Sequence, residues 1–221
     1  MSKREISYIC FPMYGHLDWG GVTDTLQELR HRGNNVSVLS GRQIKAHVQK
    51  LGLNHVDIGL APHRKRFEGE PLEEQLLAHQ KESFCSLENI VSSYIKAFGF
   101  LQENGVNILL GEPLSKTTAL VAHSMNLPWL KLGPEDFSAP EGELLEKFDK
   151  NGQEFMERAQ QEKQSLGLLN DADFEEIFVK EQPPSRIVYS TPKFEGDRTN
   201  PSFTYVGADP IEPKQEIKKG W

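Results

Sequence analysis

Cysteine is scarce in this chain of 221 residues, which contains only Cys10 and Cys85. Two cysteines cannot form the disulfide framework that is typical of small secreted proteins. Cys10 lies in an apolar run, and we interpret it as a buried free thiol. A reducing compartment is the simplest inference. The apolar run near the N-terminus is too short for a signal peptide, so we expect a cytoplasmic protein.

The chain also lacks an excess of positive charge, since its formal net charge is -7. Binding to duplex nucleic acid needs a basic stripe that contacts phosphates, and none is visible in the sequence. The hydrophobic runs are too short for a transmembrane helix. We therefore expect neither a nucleic-acid partner nor a membrane span.

Two kinds of motif are missing as well. No Gly-x-Gly-x-x-Gly follows the first predicted strand, and the pair Gly20-Gly21 matches neither that motif nor a phosphate loop. This disfavours a dehydrogenase or a kinase. The histidines and cysteines show no metal-ligand spacing, so we predict no metal site. We interpret three histidines as helix-surface residues: His31, His47 and His79.

The segments that are present alternate between strand-like and helix-like patterns. Strands are predicted at residues 6–11, 36–39, 55–58, 106–110, 128–132, 186–190 and 203–206. Helices are predicted at residues 22–32, 44–51, 72–103 (two helices, or one with a break near Ser83), 115–125 and 141–167. Residues 14–16 are expected to form a turn. This order predicts an α/β fold, a Rossmann-like parallel sheet flanked by helices on both faces.

Residues beyond 207 have almost nothing to bury. We therefore expect one domain over residues 1–207 and a linker or tail over residues 208–221.

Polar residues suited to chemistry follow two of the predicted strands. His16 follows the first strand, and Glu112 follows the strand at residues 106–110. Ligands of open parallel sheets bind at the carboxyl ends of the strands, so both side chains are expected at one edge. A carboxylate beside an imidazole fixes its tautomer and stabilises its protonated form. Without a neighbouring serine or cysteine nucleophile, such a pair suits a base that activates the hydroxyl of another molecule.

Three stretches resemble the family 1 glycosyltransferases of the GT-B fold. Residues 11–38 contain Tyr-Gly-His and then Leu-x-x-Leu-Arg-His-Arg-Gly-Asn-Asn-Val, similar to the opening of that family. Residues 110–128 contain Leu-Gly-Glu-Pro-Leu and then Ala-His-Ser-Met-Asn-Leu-Pro, similar to its "Asp-x-Leu … Ala-x-x-Leu-Gly-Ile-Pro". Residues 205–207, Tyr-Val-Gly, resemble the end of its N-terminal domain. Their order and spacing agree across nearly the whole chain.

The resemblance implies that the chain is the N-terminal, acceptor-binding half of a UDP-glycosyltransferase-like enzyme of the hexosyltransferase type. His16 falls on the catalytic base of an inverting transfer, and Glu112 falls on the acidic residue that orients it. The expected substrate-binding residues are Tyr14, Gly15, Phe84 and Leu114. The donor is a nucleotide sugar, UDP-sugar by resemblance, with no further cofactor, and the acceptor is a small, fairly apolar molecule with a hydroxyl.

The resemblance also implies a second half. The family binds its sugar nucleotide in a C-terminal domain, which we expect in the same or a second chain, and without it we expect no activity. Two other interpretations stay open from the sequence. One is a non-catalytic module that binds a hydrophobic ligand or a partner, and the other is a different GT-B enzyme such as a sugar-nucleotide epimerase.

Overall fold

The computed structural model describes residues 3–18, 21–60, 71–112, 115–132, 143–162, 164, 174–180, 185–188 and 203–205. Over these residues the chain alternates between strands and helices, as the sequence predicts. The predicted tail at residues 208–221 lies outside the described part, so the domain boundary at residue 207 stays a prediction.

Within the described ranges, seven parallel strands form one sheet in the order β3-β2-β1-β4-β5-β6-β7. The strands are β1 (Glu5–Ile9), β2 (Asn35–Ser40), β3 (Asn54–Asp57), β4 (Ile108–Gly111), β5 (Trp129–Leu132), β6 (Ser185–Val188) and β7 (Phe203–Tyr205). The first strand is central, and the order changes direction between β1 and β4. The carboxyl ends of β1 and β4 therefore lie side by side, at the position where doubly wound sheets bind ligands.

The helices connect these strands. They are α1 (Tyr14–Asp18), α2 (Val22–His31), α3 (Lys45–Lys50), α4 (Leu72–His79), α5 (Leu87–Glu103), α6 (Lys116–Met125) and α7 (Glu143–Gln161). Shorter turns of other helix types precede α3 at Arg42–Ile44, follow α4 at Gln80–Phe84 and lie at Glu175–Lys180. The predicted break in the segment at residues 72–103 is confirmed, because α5 begins only after Ser86, whose side chain accepts a hydrogen bond from the Asn89 N–H at 3.3 Å.

Helices cover both faces of the sheet, which confirms the predicted architecture. Successive residues of a strand point to opposite faces, so β1, β2 and β4 each contribute to two apolar clusters. One cluster packs β1, β2 and β4 against α2 and α3: Tyr8, Val38, Leu110, Leu26 and Val48. The other packs adjacent residues of the same strands against α5 and α6: Ile9, Leu39, Leu109, Leu101 and Val121.

A third apolar cluster joins the helices rather than the sheet. It brings α7 and the turn at Glu175–Lys180 onto α5 and α6: Leu87, Ile90, Leu120, Phe155, Ala159 and Phe178. The charged helix predicted at residues 141–167 thus buries one apolar stripe, while its polar face carries ion pairs such as Arg158 with Glu88 at 2.6 Å.

The prediction of a turn at residues 14–16 is wrong, because these residues begin the short helix α1. The Leu17 side chain is fully buried in the cluster of α2 and α3, which holds the segment against the sheet. The Thr23 hydroxyl donates a hydrogen bond of 2.8 Å to the Leu17 carbonyl, which binds α1 to the start of α2. Local helix propensity does not predict α1, because the tertiary packing of the buried Leu17 is what stabilises this short helix.

No helix in the described part of the chain combines the length and the hydrophobicity that a membrane crossing requires.

Candidate active site

His16 lies on α1, directly beyond the carboxyl end of β1. Backbone hydrogen bonds lead the chain from the strand into the helix: the Met13 N–H donates to Phe11 O at 2.8 Å, and the His16 N–H donates to Met13 O at 3.1 Å. Because the next residue, Leu17, is buried in the core, the imidazole is held on a short and anchored helix rather than on a free loop.

Glu112 follows the last residue of β4. In the sheet, Gly111 of β4 pairs with Ile9 of β1, and the Glu112 N–H donates to the Ile9 carbonyl at 3.2 Å. The end of β4 is therefore fixed against the end of β1. As predicted from the strand order, His16 and Glu112 lie at the same edge of the sheet.

The two side chains are in direct contact. His16 Nδ1 lies 2.7 Å from Glu112 Oε2, and the side chains are only 10% and 5% exposed. Burial raises the pKa of the Glu112 carboxyl above its ordinary value, although the hydrogen bond from His16 and its charge act in the opposite direction. The Glu112 carboxyl group is thus shielded from water and hydrogen-bonded to the His16 imidazole.

This arrangement defines what the imidazole can do. A carboxylate that accepts the Nδ1 proton leaves the lone pair of the imidazole on Nε2, on the other side of the ring. If Nε2 takes up a proton, the positive charge that forms lies beside a buried carboxylate. Since water screens such a pair little, the attraction is stronger than on the surface. The geometry therefore suits a general base.

The other predicted site residues are described unequally. Tyr14 and Gly15 begin α1 on the same edge as His16, and the Tyr14 side chain is 54% exposed. Phe84 ends the helical turn at Gln80–Phe84, but its side chain is outside the described part, as is the whole of Leu114. The roles of these four residues in substrate binding stay predictions.

His47 is a neighbour of the site that the sequence did not reveal. It lies on α3, and its Nε2 is 3.0 Å from Asp18 Oδ1 on α1, while its ring is 5.0 Å from the ring of Tyr14. Sequence periodicity indicates only a helix-surface residue. The contact depends on how α3 packs beside α1, and the local sequence around His47 does not predict that packing.

Two further ionisable residues follow the ends of β1 and β4 closely in the chain. Cys10 is a fully buried free thiol, as predicted, and its pKa is raised well above the ordinary value by burial and then by the charge of Glu112. A thiol in this state is protonated and a poor nucleophile. Lys116, in the first turn of α6, has a pKa lowered to about 8 by burial. Within the described ranges, no group of three or more metal-ligating side chains is found.

No protein-family model matches the chain, and no curated protein matches it. Several solved structures, in contrast, match the fold of the chain. The glycotransferase of kitacinnamycin matches with a TM-score of 0.64 and 16% identity, over 100% of this chain and 55% of that chain. CalG4, the calicheamicin glycosyltransferase, matches with a TM-score of 0.65 and 16% identity, over 94% of this chain and 53% of that one. The Streptomyces sp. SF2575 glycosyltransferase SsfS6, complexed with thymidine diphosphate, matches with a TM-score of 0.55 and 18% identity, over 97% and 58%.

Identities this low support a shared fold and nothing finer. The chain spans about half the length of these three solved structures. The resemblance found in the sequence is thereby confirmed at the level of architecture: the chain has the Rossmann-like α/β fold of one half of a GT-B glycosyltransferase.

Proposed function

We propose that this chain is the acceptor-binding half of an inverting glycosyltransferase and that His16 is its catalytic base. The observation that carries the proposal is the buried contact of 2.7 Å between His16 and Glu112, at the carboxyl edge of a sheet with GT-B topology. A buried histidine–carboxylate pair at the ligand-binding edge has the chemistry that activation of a hydroxyl requires.

The proposed reaction uses the pair as follows. His16 Nε2 takes the proton of the acceptor hydroxyl while the acceptor oxygen forms a bond to the anomeric carbon of the sugar. The bond from that carbon to the nucleoside diphosphate breaks, and its electron pair leaves with the diphosphate. Attack opposite to the leaving group inverts the anomeric centre. Glu112 stabilises the imidazolium that forms, and neither residue becomes covalently attached to the sugar.

The acceptor is proposed to bind beside α1. Tyr14 offers an exposed ring at this edge, and Gly15, which follows it, has no heavy atom of its surroundings within 4 Å of the position a Cβ would occupy. An open backbone beside an aromatic ring suits a small, fairly apolar acceptor. Phe84 and Leu114 complete the proposed pocket on the strength of the sequence resemblance.

The sugar donor is proposed to be a pyrimidine nucleoside diphosphate sugar. The resemblance suggests a UDP-sugar, and one of the similar solved structures is complexed with thymidine diphosphate. In the proposed enzyme a donor-binding half, in the same or a second chain, holds this nucleotide. The chain of 221 residues is then expected to bind acceptor weakly and to transfer no sugar by itself.

The test compares the purified chain with the same chain supplied with its donor-binding half. Both are incubated with UDP-sugars and dTDP-sugars and a panel of phenolic and aliphatic alcohols, and glycosides are detected by mass spectrometry. Transfer only in the presence of the second half is expected. Sugar transfer by the chain alone contradicts the division of labour. Failure of every nucleotide sugar with the second half present contradicts the transferase function and favours a binding module.

A further inference from the structure

Two backbone hydrogen bonds hold Glu112, one on each side of the residue. The Glu112 N–H donates to the Ile9 carbonyl at 3.2 Å, and the Glu112 carbonyl accepts a hydrogen bond from the Ser115 N–H, also at 3.2 Å. The first contact ties Glu112 to β1, and the second ties it to the start of α6. The direction in which the carboxylate leaves the backbone therefore depends on where α6 begins.

Thr118 fixes that beginning. Ser115 is the residue that caps α6, and its hydroxyl oxygen accepts two hydrogen bonds from Thr118, one from the N–H at 3.2 Å and one from the hydroxyl at 2.8 Å. The first is the ordinary N-cap contact. The second is an additional bond between two buried hydroxyls, and Thr118 is fully buried.

The same threonine lies against the end of β4. A Cβ atom at Gly111 would lie 2.5 Å from Thr118 Oγ1 and 2.8 Å from its Cβ, closer than real atoms approach. Gly111 pairs with Ile9 on one side and Lys131 on the other, so the strand cannot move aside. The glycine is thus needed for space, and it lets the first turn of α6 pack directly on the last residue before Glu112.

We propose that Thr118 is a positioning residue for the His16–Glu112 pair, acting through the hydrogen bond that its hydroxyl donates to Ser115. This inference depends on the proposed function only for its relevance to catalysis. A small displacement of Glu112 lengthens a contact that is now 2.7 Å, and the histidine then loses the partner that fixes its tautomer.

The test uses two matched variants of the full chain. Thr118→Val removes the hydroxyl and keeps the shape against Gly111. Thr117→Val is the control, since Thr117 is equally buried on the same helix and bonds a hydroxyl, Ser93 Oγ at 2.7 Å, but on α5. Each variant loses one buried hydrogen bond, so both are expected to lose similar stability.

The readout is the NMR resonance of the His16 Nδ1 proton, assigned by its loss in His16→Ala. Thr118→Val is expected to move this resonance upfield and to speed its exchange with water roughly fivefold, the effect of losing about one neutral hydrogen bond. Thr117→Val is expected to leave the resonance unchanged, and Thr118→Ser, which keeps the hydroxyl, is expected to retain it.

Three results overturn the inference: an unchanged resonance in Thr118→Val, an equal shift in both valine variants, or a shift in Thr118→Ser as large as in Thr118→Val. None of these readouts involves sugar transfer. The positioning role and the proposed function can therefore fail independently of each other.

Discussion

The helix α1 takes part in two histidine–carboxylate contacts that differ in their surroundings. His16 on α1 meets Glu112 at 2.7 Å, with side chains that are 10% and 5% exposed. Asp18 on α1 meets His47 at 3.0 Å, with side chains that are 52% and 24% exposed. The residue types are the same and the distances are similar, so the pairing itself does not distinguish a catalytic contact from a surface contact.

Burial distinguishes them. Glu112 is withdrawn from water, and this burial raises the pKa of its carboxyl group. Charges in such an environment interact strongly, so a change in the protonation of one partner has a large effect on the other. The pair of Asp18 and His47 is partly in water, where salt and solvent screen the attraction. We infer that the first pair is suited to chemistry and that the second serves mainly to hold α1 beside α3.

Removing the charge of each carboxylate in turn is expected to give the largest difference in catalytic rate between the buried and the exposed pair. If the proposed function is correct, Glu112→Gln in the chain supplied with its donor-binding half is expected to lower the turnover number about 10²-fold. An amide cannot stabilise the imidazolium, and a positioned base contributes at least that much. Asp18→Asn, the matched change on the exposed pair, is expected to change the rate at most about fivefold. Equal losses in the two variants, measured as turnover numbers, contradict the distinction.

The sequence predicted the common edge of His16 and Glu112 because the order of strands determines where strand ends meet. The alternation of apolar segments and the position of each polar residue after a strand are enough for that prediction. These patterns do not show that Leu17 is buried and makes α1 a helix, or that α3 brings His47 to Asp18. Both contacts are made between segments distant in the chain. The raised pKa of Glu112 could not be predicted from the sequence either, because it results from burial in the packed site.

The next largest effect concerns stability as a function of pH. The raised pKa means that the folded protein holds the Glu112 proton more tightly than the unfolded chain, whose glutamates titrate at about 4.3. This stabilisation is complete below the unfolded pKa and is lost as the pH rises through the folded pKa. Glutamine does not titrate. The free energy of unfolding of Glu112→Gln should therefore increase relative to wild type as the pH rises through this window.

Urea denaturation of the two proteins at a series of pH values measures this difference, and the comparison removes the contributions of the other carboxylates. A difference that does not depend on pH would mean that burial does not perturb Glu112. Asp18→Asn keeps Glu112 and serves as the control, so the pH-dependent loss of stability that Glu112 causes should persist in this variant.

The smallest effect is expected at the exposed pair. His47→Ala removes the contact with Asp18 and the ring contact with Tyr14, and it should lower the free energy of unfolding by less than about 1 kcal/mol, as is usual for exposed pairs. Added salt should reduce even this difference, because the pair is screened. Thermal unfolding at low and high ionic strength checks both points. A loss of several kcal/mol would contradict the conclusion that this contact, being exposed, contributes little to stability.

The central claim, that the buried histidine is the base, is tested most directly by the rate of a single turnover of sugar transfer. The proposed transferase, this chain supplied with a donor-binding half, is prepared as wild type, His16→Ala and His47→Ala, saturated with donor and acceptor, and quenched on the timescale of the chemical step. We expect His16→Ala to lower this rate about 10²- to 10⁴-fold, the contribution of a general base, and His47→Ala to leave it nearly unchanged. A wild-type rate in His16→Ala would contradict the assignment.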